Sequence, residues 1–137
     1  MNNKARSFVT IMIIAALCAL ILRIALEQFI KRSVVQNEAV AVSTLKLVSA
    51  ALESYAKNNR GIFPSSLEPL TKTTPIYLDR DYIKESPIKG YTYTCSKLDS
   101  SGYNCSANPV TCMMSGSTVY NISTGGLFVS EGCIKDE

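Results

Sequence analysis

From Phe8 to about Tyr55 the sequence is patterned as one long helix that changes character partway along. Phe8 to Leu22 (FVTIMIIAALCALIL) is apolar on every side, whereas beyond Arg23 only one stripe is apolar. In that second part Val35, Ala39, Val42, Leu45, Val48, Leu52 and Tyr55 recur at intervals of three or four, the helical period, and are expected to pack on a globular head. Gln36, Glu38, Ser43, Lys46, Glu53 and Lys57 then face away from it. No Gly or Pro precedes Gly61, so nothing forces a break, and Asn58-Asn59-Arg60-Gly61 supplies the left-handed stop. Some 50 helical residues would extend about 75 Å, well beyond the bilayer core of about 30 Å.

After the helix, Gly61 to Pro64 reads as a turn returning Ile62 and Phe63 onto it, and Ser65-Ser66-Leu67-Glu68 has the form of a capping box for a short helix from Ser66 to about Lys72. Pro75 to Pro87 reads as an extended connection with Ile76, Tyr77, Leu78, Tyr82 and Ile83 free to pack. From Gly90 the period changes to two. Tyr91 to Leu98, Tyr103 to Ala107, Thr118 to Ser123 and Leu127 to Ser130 are expected as strands, joined by turns such as Asp99-Ser100-Ser101-Gly102 and Thr124-Gly125-Gly126. Short turns between adjacent strands give antiparallel hairpins, so the fold class is α+β. Tyr91, Tyr93, Tyr103 and Tyr120 read either as core residues or as a binding platform.

Composition narrows the function. The chain holds 137 residues and a net charge of +3, with Lys and Arg scattered, which gives no nucleic-acid footprint. It contains no histidine, which removes His-activated nucleophiles and His-dependent zinc hydrolysis, and no phosphate-binding glycine loop is present. Neither an enzyme nor a cofactor is expected. The acids Asp79, Asp81 and Glu85 lack the spacing of a calcium loop and read as solvated surface. Asn104-Cys105-Ser106 and Asn121-Ile122-Ser123 match the short glycosylation pattern.

Cys18 lies in the apolar run, as a small buried side chain on this reading, while Cys95, Cys105, Cys112 and Cys133 all fall in the head. Four cysteines in a small domain suggest disulfides and an oxidising compartment. A four-thiolate zinc site is the alternative, although the gaps of ten, seven and twenty-one residues lack its close pairs. Three pairings are open. The hairpin turning at Asp99 to Gly102 would bring Cys95 to Cys105 and leave Cys112 for Cys133.

Residues 1–7 carry Lys4 and Arg6 and no acid, so the positive-inside bias keeps this leader cytoplasmic and sends the head across the membrane. The fifteen apolar residues before Arg23 fit either a retained helix or a signal peptide. The nearest small-x-small site, Ala39-Val40-Ala41, lies beyond Arg23, Glu27, Lys31, Arg32 and Glu38, which favours retention. The expected organisation is a leader over 1–7, a membrane or filament-core helix over 8–30, an amphipathic helix over 31–59 and an exported head over 60–137.

A basic start, an apolar helix opening on Phe8, an amphipathic continuation and a β head with late cysteines together resemble the type IV pilin-like proteins. Asn37-Glu38-Ala39, Thr44-Leu45-Lys46, Ser49, Glu53, Tyr55, Asn59 to Gly61, Phe63-Pro64 and Ser66-Leu67 look like the pilin and pseudopilin helix end and first turn. Gly90-Tyr91, Gly102-Tyr103, Ala107 with Pro109, and Gly125-Gly126 resemble the sheet of small type II secretion pseudopilins. The resemblance implies a single-pass protein of the bacterial inner membrane, its head periplasmic, assembled into a secretion pseudopilus or type IV pilus. Its implied partners are the bilayer, other pilin-like subunits, an inner-membrane assembly platform and a prepilin peptidase. A membrane-anchored adhesin or sensor that never polymerises is the competing class.

The departures fall at the processing site. The family is cut after Gly and then methylated on the new terminus, and Ser7 stands before Phe8 here; the fifth mature residue is usually Glu, and Thr10 or Met12 occupies that place. In the family that Glu neutralises a neighbour's terminal amine in a low-dielectric core, where an unpartnered charge costs several kcal/mol. A chain lacking both features is expected to be processed weakly or not at all.

Overall fold

The computed structural model describes residues 3–134, with side chains described from Phe8 onward. The side chains of Lys4, Arg6 and Ser7, on which the leader reading rests, lie outside the described residues. The elements in chain order are α1 (Asn3–Asn58), α2 (Glu68–Lys72), β1 (Tyr91–Asp99), β2 (Gly102–Pro109), β3 (Thr118–Ser123) and β4 (Leu127–Gly132). The chain forms two compact units, the first ending at Ser33 and the second beginning at Val34, and α1 contributes to both. The first unit is helix alone. In the second, the rest of α1 packs on a four-stranded antiparallel sheet in the order β1-β2-β3-β4, so the α+β architecture is as expected.

The end of α1 follows from its residues. Arg60 and Gly61 take positive φ, and the Gly61 amide donates to the Ala56 carbonyl at 2.8 Å, closing the last turn where a side chain at Gly61 would be strained. Phe63 turns back and meets the Tyr103 ring edge-on at 5.5 Å between centroids. Ile62 does not return with it and stays exposed. The expected capping box is also absent. Helix α2 starts at Glu68 with Leu67 as an uncapped N-cap, and the Glu68 carboxylate binds Lys72 and Lys84 instead of reaching back to the backbone.

The core is large aromatic side chains from the sheet set against small residues of the helix. Inward positions alternate along each strand: Tyr91 and Tyr93 on β1, Tyr103, Cys105 and Ala107 on β2, Tyr120 and Ile122 on β3. Facing them, α1 presents Ala41, Thr44, Leu45, Val48, Ser49, Ala51, Leu52 and Ala56, all buried. The small members of that set let the helix backbone approach close enough for the tyrosine rings to fill the space at interior density. The tyrosines are therefore core and not a platform. Leu67, Leu70 and Leu78 close one end, while Ile76 of the connection remains exposed.

Cys95 and Cys105 are direct partners in the β1-β2 ladder and form a disulfide; Cys112 and Cys133 form a second. The first bridges a hairpin and the second ties the end of the chain, just after β4, to the loop between β2 and β3.

Candidate functional site

Among the described residues, α1 exposes two apolar surfaces. The first is Phe8 to Leu22, where every residue is exposed and none is charged. The helix that carries it is long and apolar enough to cross a membrane, and its most apolar window is 0 % buried. A fully apolar surface of this extent belongs in lipid or against other apolar helices. Cys18, a free thiol, is exposed here and not buried as the sequence suggested, because among the described residues the first unit is a helix alone. Thr10 and Met12, at the places where the resembled family carries Glu, lie in this segment, and Met12 is exposed. Of the Ser7-Phe8 junction only the Phe8 side chain is described, and it is exposed. The segment ends at an exposed ion pair between Arg23 and Glu27.

The second surface corrects the stripe. Leu45, Val48 and Leu52 are buried and Val42 and Tyr55 partly so, but Val35 is 65 % exposed and Ala39 is exposed as well. At about 100° per residue the track buried at Leu52, Val48 and Leu45 continues through Ala41 to Asn37 and Glu38, and Val35 and Ala39 have rotated off it. They line a shallow groove with Val42 and Tyr120, bordered by Lys46, whose ammonium lies 5.7 Å from the Phe128 ring centre. An apolar strip is left on the outside of the helix.

The inward track ends in polar anchors that periodicity did not reveal. Glu38 and Glu53, expected to face away, both face the head. The Ser117 amide and hydroxyl donate to Glu38 Oε1 at 2.8 and 2.7 Å, and Asn37 Nδ2 donates to the Ser115 carbonyl at 2.9 Å. Further along, the Tyr103 hydroxyl and the Gly125 amide donate to Glu53 Oε1 at 3.0 and 2.7 Å, and Ser49 Oγ pairs with the Tyr103 hydroxyl at 2.7 Å. These carboxylates pin the β2-β3 loop and the β3-β4 turn to the helix. The partners lie 50 to 79 residues away in sequence, so only the fold brings them together.

Burial sets the head's response to alkali. Desolvation pushes the Tyr91, Tyr93 and Tyr103 phenols up from their ordinary values, and for Tyr91 the Glu38 carboxylate adds to it. An unfolded tyrosine ionises near pH 10, so the stability these groups confer is complete below that pH and is lost as pH rises above it. The head is expected to unfold in alkali with phenolate absorbance and loss of circular dichroism appearing together. Reversible ionisation of Tyr91, Tyr93 and Tyr103 near pH 10 with the fold intact would contradict this.

The remaining candidates are engaged locally. Asp79 pairs with Arg80 and accepts from the Tyr82 hydroxyl, Asp81 accepts from the Ile83 and Lys84 amides, and Glu85 pairs with Arg80. Among the described residues no group of three or more metal-ligating side chains converges. The candidates are therefore two separate apolar surfaces suited to packing, Phe8 to Leu22 in the first unit and the strip at Val35 and Ala39 in the second. No protein-family model, curated protein or solved structure matches the chain.

Proposed function

We propose that the protein is a membrane-anchored pilin-like subunit, of the pseudopilin kind, that acts by helix packing within a filament of a type II secretion or type IV pilus assembly. The observation that carries this reading is a single helix with an uncovered, uncharged segment from Phe8 to Leu22 and a later part that forms one layer of a small disulfide-bonded α+β head. Such a segment rests in the inner membrane before assembly and against like helices after it. Lys4 and Arg6 keep the N-terminus in the cytoplasm, and the two disulfides suit a head that folds in the periplasm. The outward strip at Val35 and Ala39 extends the packing surface beyond the membrane segment. Its partners are other pilin-like subunits and an inner-membrane assembly platform.

Without Gly before Phe8 and without Glu at Thr10 or Met12, the subunit enters the filament uncut, at a position where no neighbouring amine requires a carboxylate. Polymers sheared from cells, or drawn from the envelope, are expected to contain the chain in low copy. Mass spectrometry of that material should yield an N-terminal peptide that includes Lys4 or Arg6. A methylated Phe8 as the sole terminus would overturn the uncut form. Complete absence from polymers, with the protein abundant in the membrane, would favour a non-polymerising binding module.

A further inference from the structure

The second disulfide presents an apolar patch that the packing of α1 does not use. Val110, Met113 and Met114 on the β2-β3 loop and Ile134 just beyond Cys133 are 57 %, 64 %, 63 % and 87 % exposed, gathered around Cys112, Cys133 and Val119. Met113 is held with φ of 68°, and its amide donates to the Gly116 carbonyl at 2.7 Å, so the loop displays its two methionines in a fixed form. No Asp, Glu, Lys or Arg occurs anywhere from Ser100 to Ser130. Among the described residues, the exposed Lys89 flanks the patch: it is next to Gly90, whose carbonyl accepts from the Val110 amide. Among the described residues, the acid Glu131 stands opposite Val119 at the margin.

We propose that this patch seats on the membrane surface, with Met113, Met114 and Ile134 entering the boundary between headgroups and acyl chains. The inference rests on the membrane-anchored reading of Phe8 to Leu22. The loop is fixed to the helix by Asn37, which donates to the Ser115 carbonyl, and by Ser117, which donates to Glu38; Asn37 lies seven residues after Ile30, the last residue of the expected membrane helix. Seven residues reach at most about 25 Å, so the patch is tethered within range of the bilayer surface. The linking residues Lys31 and Arg32, together with Lys89, supply the positive charge that anionic headgroups attract. Flexible, polarisable methionine side chains beside an uncharged loop can enter that boundary without burying an unpaired charge.

The test places an environment-sensitive fluorescent amino acid at Met113, and separately at Leu17, in the full chain reconstituted into vesicles of mixed zwitterionic and anionic phospholipid. Non-reducing mass spectrometry first confirms both disulfides in each variant. Lipids brominated near the headgroup should reduce emission from the Met113 probe, and aqueous iodide should not. Lipids brominated deep in the chain should quench the Leu17 probe. A Met113 probe quenched by iodide alone lies in water and overturns the proposal, and one shielded from both quenchers faces protein and overturns it too. The Leu17 probe judges the anchor separately: if it resists bromolipid, the membrane reading fails whatever Met113 shows.

Discussion

Leu17→Arg is expected to remove the protein from the membrane fraction. Leu17 stands in the middle of the Phe8 to Leu22 segment and is 55 % exposed. An Arg near the centre of a spanning helix costs about 2.5 to 3.5 kcal/mol on insertion scales. A segment of fifteen residues has little apolar surplus to offset that cost. Arg23 avoids the same cost because it lies at the segment's end, where a long side chain reaches the interface and pairs with Glu27. Fractionation of cells carrying the variant measures the effect, with Leu17→Ala as the control that should stay in the membrane. Unchanged fractionation of Leu17→Arg would mean that the segment does not span.

In the head, Leu52→Ala is expected to destabilise the fold by about 2 to 5 kcal/mol, the range for deleting most of a buried leucine from a packed core. Leu52 is 0 % exposed and belongs to the cluster of α1 residues facing the sheet tyrosines. A domain of this size has about 5 to 15 kcal/mol in total, so the loss takes a large share. Val35→Ala removes a similar apolar side chain from the same helix and is expected to change stability by no more than about 0.5 kcal/mol, since Val35 lies on the exposed side. Denaturant unfolding of the two variants in detergent, followed by circular dichroism, separates them. Equal losses would mean that Val35 is covered by the head after all.

That contrast also shows where the sequence was readable. The strands and the end of α1 were legible because alternating Tyr and Ile positions, Gly61 and the turns at Asp99 to Gly102 and Thr124 to Gly126 each act locally, within a few residues of what they determine. The opposition of Cys95 and Cys105 follows from the same local turn, which sets the β1-β2 register. The membrane-competent segment was legible because it needs no partner in the fold. The stripe was less so. Intervals of three and four admit two tracks above Leu45, one through Val42 and Ala39 to Val35 and one through Ala41 to Asn37, and composition favours the apolar one. The fold chose the polar track because Glu38 and Asn37 find donors and acceptors on Ser117 and Ser115, which are distant in sequence. Glu53 was misplaced for the same reason, its partners being Tyr103 and Gly125. The missed capping box had a local competitor, since Glu68 lies one turn before Lys72 and beside Lys84.

The outward strip provides the most direct test of a subunit that works by helix packing. A photo-activated cross-linking residue at Val35, on the exposed face of α1, can be compared in cells with one at Lys57, exposed near the end of the same helix. On the proposed function, mass spectrometry of the adducts is expected to identify the helix of a pilin-like subunit at Val35, in cells that assemble filaments, and none at Val35 when assembly is blocked. Adducts at Val35 that contain only lipid, or no adducts in filament-forming cells, would contradict packing through this helix.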